Sequence, residues 1–188
     1  MAKALIFLLV LSGLSRATEH RFGGGMGAYF QYADIQSDYG QLKGLAWGLG
    51  GRLHFNLGKH FRVGGLGSTW HLSYQAPGLK GSYYDLGYGG LTAELVCHIS
   101  SARIGLGVLA GGGAATNLHV VSQNASDRIS AIYTHSPTII FAPMLTCEYP
   151  LTKVISVMAT LDFLMGNHLG TNQRLGSPGL RVGMLFNR

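Results

Sequence analysis

The sequence predicts an all-β protein, an eight-stranded antiparallel up-and-down transmembrane β-barrel that follows a cleaved signal peptide. Hydrophobic residues make up 47% of the 188-residue chain and charged residues only 12%, about half the share of an ordinary soluble domain. After residue 17 no long uninterrupted apolar run occurs, which excludes helical membrane spans. The apolar residues recur instead in short alternating runs, which are typical of membrane-spanning strands.

The first 17 residues have the pattern of a secretion signal. Met1 to Lys3 supplies a short positive start, Ala4 to Leu14 an apolar run, and Ser15 to Ala17 small residues around a cleavage point. The apolar run is shorter than the roughly 20 residues of a spanning helix, which leaves an uncleaved anchor as the alternative. We therefore expect a signal peptide over residues 1–17 and an outer-membrane β-barrel domain over residues 18–188.

Charge and ligand-type residues exclude several function classes. The formal net charge is +6, and the basic residues are scattered singly, so we expect no nucleic-acid partner. The histidines are also scattered, with no cysteine pair nearby, and we predict no metal and no other cofactor. Cys97 and Cys147 lie on runs that a third run separates, so we expect them to remain unpaired.

Eight runs of roughly strand length follow residue 22. Alternation is clearest in the second, where Leu45, Trp47 and Leu49 share one face and small or polar residues such as Arg52 and His54 share the other. This pattern predicts one lipid-facing side and one lumen-facing side. The runs cover approximately residues 23–34, 42–57, 60–75, 83–98, 103–121, 138–149, 153–166 and 179–187.

Two further patterns refine the expected barrel. The apolar parity switches at the glycine pairs 64–65 and 89–90, and we predict β-bulges there, which would place Trp70, Leu72 and Tyr74 on the lipid face. The connections alternate between short ones and longer polar ones, which predicts short periplasmic turns and long external loops. The long connections are predicted near residues 36–41, 76–82, 122–137 and 167–178.

Residues 23 to 187 resemble the eight-stranded outer-membrane barrels typified by the OmpA membrane domain and OmpX. The resemblance rests on the even strand number, the alternation, the loop asymmetry and aromatic residues near strand ends, namely Tyr29, Phe30, Tyr32, Trp70, Tyr74, Tyr83, Tyr84, Phe141 and Tyr149. It implies a bacterial outer-membrane location, and we expect a monomer in contact with outer-membrane lipid. A soluble barrel or sandwich is the alternative, but its inward face would be apolar.

The inferred register turns six charged side chains into the lumen, three of each sign. An eight-stranded lumen is normally filled, so we interpret them as a salt-bridged plug, with a gate or proton path as the alternative. Asp162 and Arg181 form the clearest expected pair because the last hairpin brings them together on one face. This lumen charge network comprises Arg52, Arg62, Glu94, Glu148, Asp162 and Arg181.

The segment His71-Leu72-Ser73 is the one arrangement that suggests catalysis. His71 and Ser73 share a strand face, and Asp85 would lie opposite Ser73 if the hairpin turns near residue 79. The pattern is similar to the His-x-Ser element of PagL-type lipid A deacylases, which act on the lipid-facing surface and pair the histidine with a glutamate. Because Trp70 and its neighbours are expected on the lipid face, we expect His71 and Ser73 to be a polar pair in the lumen.

The sequence therefore favours a non-enzymatic outer-membrane barrel with a structural or surface-interaction role, adhesin-like, through its long external loops. Passage of small solutes through a narrow pore and modification of lipid A are the alternatives. Single-channel conductance and lipid mass analysis would separate them. An extracellular ligand or host surface would meet the longest loop, and its candidate contacts are Asp127, Arg128, Tyr133 and His135.

Overall fold

A computed structural model describes residues 22–37, 40–76, 79–123, 129–169 and 174–187. Each strand pairs antiparallel with its neighbours in sequence, and the first strand pairs with the last, so the sheet closes into the predicted barrel. Within these ranges no helix is long and apolar enough to cross a membrane. The strands are β1 (Phe22–Ser37), β2 (Gly40–Leu57), β3 (Phe61–Ala76), β4 (Leu79–Ile99), β5 (Ala102–Gln123), β6 (Ile129–Pro150), β7 (Ile155–His168) and β8 (Arg174–Asn187).

The strands run further toward the long-connection end than predicted. Most of the loop predicted over residues 122–137 is strand, because β6 already begins at Ile129. Tyr133 and His135 therefore lie in β6 and not in a loop, whereas Asp127, Arg128 and the predicted signal peptide lie outside the described residues. The strands continue to pair beyond the apolar band. Residues there no longer alternate between apolar and polar, so the sequence pattern does not indicate that they are strand.

The outer wall of the barrel is apolar and much of its interior is polar. Leu45 and Leu91 expose 69% and 78% of their surface, while Arg62, Glu148 and Arg181 are buried inside. Lipid solvates the first set of side chains and the lumen encloses the second, which is the organisation of membrane-spanning barrels. The alternation predicted from the second, seventh and eighth runs is thus present in the structure.

The predicted β-bulges at the two glycine pairs are absent. Residues 61 to 74 of β3 pair with β4 in one unbroken register through Gly64 and Gly65, and the shift lies further on, between Tyr74 and Ala76. Trp70 and Leu72 consequently point inward and are buried, which overturns their predicted lipid-facing position. The parity switch has another cause: large apolar side chains leave the lipid face at this level and fill the lumen instead.

The two cysteines are free, as predicted. Cys97 and Cys147 both pair with Ile104 of β5, so one whole strand lies between them. Second neighbours in a sheet are roughly 10 Å apart, beyond the distance that a disulfide bridges.

Candidate active site on the outer face

The β3–β4 hairpin presents three polar side chains on the outside of the barrel. His71 and Ser73 lie two residues apart in β3, and their inward neighbours Trp70 and Leu72 are buried in the lumen. Asp85 of β4 is the register partner of His71, not of Ser73 as the sequence suggested. Strand pairing therefore sets the three side chains, here called the outer-face triad, side by side.

Hydrogen bonds join the outer-face triad into one chain. The Nδ1 of His71 lies 2.5 Å from the Oδ1 of Asp85, and its Nε2 lies 2.9 Å from the Oγ of Ser73. A carboxylate only accepts hydrogen bonds, so Nδ1 carries the proton and donates it to Asp85. In the neutral ring Nε2 is then free to accept the hydroxyl proton of Ser73.

This order of groups is that of an activated serine nucleophile. The base contacts the hydroxyl, and the acid holds the base in the tautomer that can take its proton. Both His71 and Asp85 are half-exposed, with 39% and 43% of the side-chain surface accessible, so a substrate can reach them. The ring of Tyr83 lies 5.6 Å from that of His71, centroid to centroid, and packs beside it.

The outer-face triad lies where the apolar band ends. On β2 the register partner of His71 is Trp47. Lys43 lies four residues before Trp47 on the same outward face of β2. Aromatic residues of this kind mark the membrane–water interface. A cleft with a volume of about 630 Å³ opens at this level and is lined by His71 and Ser73 together with Lys43, Lys80 and Tyr83.

All six residues of the lumen charge network lie within the barrel, in two groups. In the first, Arg52 Nη2 lies 2.6 Å from Glu94 Oε1, and Arg62 contacts both Glu94, at 3.4 Å, and Glu148. Arg62 Nε also donates to the Oδ1 of Asn56 at 3.1 Å. One guanidinium thus joins the two carboxylates.

The second group is centred on Asp162. Arg181 Nη2 lies 3.8 Å from its Oδ2, and the Tyr29 hydroxyl donates to its Oδ1 at 2.6 Å. The Arg181 guanidinium also lies 4.6 Å from the centre of the Tyr29 ring, a cation–π contact. Large buried side chains, including Trp70 and Tyr84, fill the lumen around these groups, and the filled interior offers no support for solute passage.

Among the candidate surface contacts, the structure describes Tyr133 and His135. Both face outward from β6, and His135 Nδ1 lies 3.2 Å from the Thr116 hydroxyl. They lie on a different strand from the outer-face triad, whose His71 and Ser73 were expected from the sequence to be a polar pair in the lumen. The sequence showed the residue types and the spacing of the triad. It did not show which alternate residues of β3 face lipid and which face the lumen.

No family model matches the sequence, and no curated protein is similar to it in sequence. In three dimensions the barrel is similar to Neisserial surface protein A, with a TM-score of 0.57 and 16% identity over 92% of this chain and 100% of that one. For Ail of Yersinia pestis the TM-score is 0.52 and the sequence identity 15%, over 90% of this chain and 100% of Ail. For the N-terminal barrel domain of Pseudomonas aeruginosa OprF the TM-score is 0.51 and the sequence identity 13%, over 91% of this chain and 100% of that domain. The chain therefore has the fold of the small eight-stranded β-barrels of bacterial outer membranes.

Proposed function

We propose that this outer-membrane barrel is an acyl-ester hydrolase that acts on lipid at its outer face. The observation that carries the proposal is the hydrogen-bonded chain from Ser73 through His71 to Asp85 on the lipid side of the wall. The preference for a non-enzymatic role depended on placing His71 and Ser73 in the lumen. Their outward position favours the lipid-modifying alternative instead.

The reaction follows from the order of the groups. The Ser73 hydroxyl adds to the ester carbonyl while its proton passes to His71 Nε2, and the Asp85 carboxylate stabilises the imidazolium that forms. Collapse of the adduct breaks the ester C–O bond, and His71 returns the proton to the departing alcohol. Water then adds to the acyl-serine by the same route, releasing a carboxylic acid and the free hydroxyl of Ser73.

The position of the outer-face triad indicates the substrate class. The ester groups of membrane lipids lie between the hydrocarbon core and the polar head groups, the zone where the apolar band of this barrel ends. A lipid next to β3 and β4 therefore brings its ester carbonyl to the level of Ser73. The strands extend furthest beyond the apolar band at this end, which is the external end of such barrels, so the substrate belongs to the outer leaflet.

Covalent labelling tests this proposal directly. The full barrel, refolded in detergent, is treated with an alkyl fluorophosphonate, a reagent that captures activated serine nucleophiles, and is then mapped by mass spectrometry. We expect one modified serine, Ser73, and loss of both the label and fatty-acid release from ester lipid in Ser73→Ala. Ser68→Ala is the matched control, because Ser68 lies inside the barrel on the same strand and donates to the Leu49 carbonyl at 3.1 Å. Equal fatty-acid release by Ser73→Ala and the native chain would overturn the proposal.

A second candidate, surface interaction, is favoured by the far end of the β5–β6 hairpin. The β4 ladder on β5 ends at Leu118 and the β7 ladder on β6 begins at Thr138, so among the described residues the strand ends beyond them form a ladder only with each other. This ribbon exposes Ile132 and Tyr133, the latter by 64%. Exposed apolar and aromatic side chains on a projecting ribbon are typical of a contact surface. One structural relative, Ail, is named the attachment invasion locus protein.

For this candidate we expect the double change Ile132→Ser and Tyr133→Ser to lower attachment of expressing bacteria to host cells by about tenfold, since buried aromatic anchors dominate such interfaces. Leu169→Ser is the control, because Leu169 is also exposed at this end but lies beside β7. Attachment that is equal with and without the barrel would eliminate an adhesin role. Asp127, Arg128 and His135 are proposed as further contacts of the same surface.

A further inference from the structure

A small cavity lies at the mouth of the barrel that carries the short turns. About 10 Å³ of it is open to the centre of a water-sized molecule, which is room for one such molecule. Its lining includes three cationic side chains, Lys59, Arg62 and Arg103, together with His98 and Asn56. None of the described side chains that line it is acidic. The cavity therefore presents positive charge and hydrogen-bond donors to its occupant.

The ion pairs behind the cavity leave Arg103 without a carboxylate. Arg103 of β5 is the register partner of Glu148 of β6, yet it forms no ion pair with the described residues. Glu148 is engaged by Arg62, whose Nη2 donates to its Oε2 at 3.1 Å and whose Nη1 contacts its Oε1. Glu94 is engaged by Arg52 and Arg62. Arg103 thus adds a positive charge that neither glutamate balances.

Positive charge exceeds negative charge at this mouth. Three guanidiniums lie here, those of Arg52, Arg62 and Arg103, with two carboxylates, those of Glu94 and Glu148. Hydrogen-bond donors are also in excess, because the Nε of Arg52 is buried and has no partner among the described residues. Charges and donors withdrawn from water are stable only when they are paired, so this surplus favours an anion in the cavity.

We propose that the cavity is a binding site for a single small anion of the size of chloride, held by Arg62 and Arg103. An anion there accepts charge-assisted hydrogen bonds and balances the third guanidinium. Phosphates and carboxylates need more space than one water-sized molecule, so the size of the cavity selects a halide. The site is independent of the proposed hydrolase, because His71 lies nine residues further along β3 than Arg62, which is about 30 Å.

The linewidth of the chloride NMR resonance tests the site without an assay of activity, since it rises when chloride exchanges with a protein site. We expect the refolded barrel in zwitterionic detergent to broaden the resonance beyond detergent alone, and Arg103→Met to lose most of this excess. Lys153→Met is the matched control, because it removes an exposed cation from another short turn that does not line the cavity. Bromide should abolish the excess of the native barrel by competition, whereas gluconate, which is too large for the cavity, should not. Heat-dependent migration on gels verifies that each variant is folded.

Several results would overturn the proposal. A native barrel that broadens the resonance no more than detergent alone would show that the cavity holds water. Equal losses in Arg103→Met and Lys153→Met, or equal competition by bromide and gluconate, would mean that chloride responds only to the overall charge of the rim.

Urea unfolding in lipid vesicles gives an independent readout. Replacing gluconate by chloride at constant ionic strength should raise the urea midpoint of the native barrel and leave that of Arg103→Met unchanged, because a ligand of the folded state stabilises it. In gluconate the two midpoints should coincide, since Arg103 then has no partner to lose. A native midpoint that does not respond to chloride would contradict the site.

Discussion

Replacing Asp85 by asparagine is expected to lower kcat on a soluble short-chain ester by about 10⁴-fold, the loss seen when the acid of such a triad becomes an amide. The amide can donate its own N–H to His71 Nδ1. The ring proton then moves to Nε2, the atom that must accept the Ser73 proton. The hydroxyl keeps its position at 2.9 Å in this variant, but it loses its base.

Asp85→Glu separates the chemistry from mere local packing. It retains a carboxylate, as in the glutamate-containing deacylases that the His-x-Ser pattern resembles, so it should recover part of the activity that Asp85→Asn loses. Asp34→Asn is the matched control, because Asp34 is also an outward carboxylate of the barrel and lies 3.6 Å from Lys43. Steady-state rates with folded protein provide the measurement. Native activity in Asp85→Asn would show that the carboxylate has no role.

The fold was predictable because lipid and lumen impose different chemistry on alternate residues. In β2 the apolar side chains of Leu45, Trp47 and Leu49 all face lipid, so a single strand revealed both faces of the wall. The short turns at residues 58–60 and 100–101 then set the antiparallel order. Strand ends were less predictable, since β6 continues past the membrane, where its residues no longer alternate.

The face of β3 could not be read in the same way. An eight-stranded barrel contains apolar side chains on both sides of its wall, and the sequence does not distinguish Trp70 packed in the lumen from Trp47 exposed to lipid. Only the unbroken pairing between β3 and β4 settles the parity. Once Trp70 is inside, His71 must be outside, and a lumen pair becomes a surface triad.

The lumen charge network carries the largest expected effect on stability. Arg62→Met should lower the free energy of unfolding by about 3–5 kcal/mol, the usual cost of removing one partner from a buried ion pair. Arg62 is buried and joins Glu94 to Glu148, so its loss leaves Glu148 without its guanidinium and Glu94 with Arg52 alone. Reversible urea unfolding in lipid vesicles measures the change.

A double change distinguishes lost pairing from lost packing. Adding Glu148→Met to Arg62→Met removes the unpaired carboxylate and should restore much of the stability, giving a coupling free energy of about 1–3 kcal/mol. Arg103→Met is the control, because Arg103 lines the same mouth of the barrel and forms no ion pair with the described residues. Additive losses in the double variant would mean that Arg62 and Glu148 stabilise the barrel independently. A restored double variant would establish that the network is a plug whose charges are tolerated only as a set.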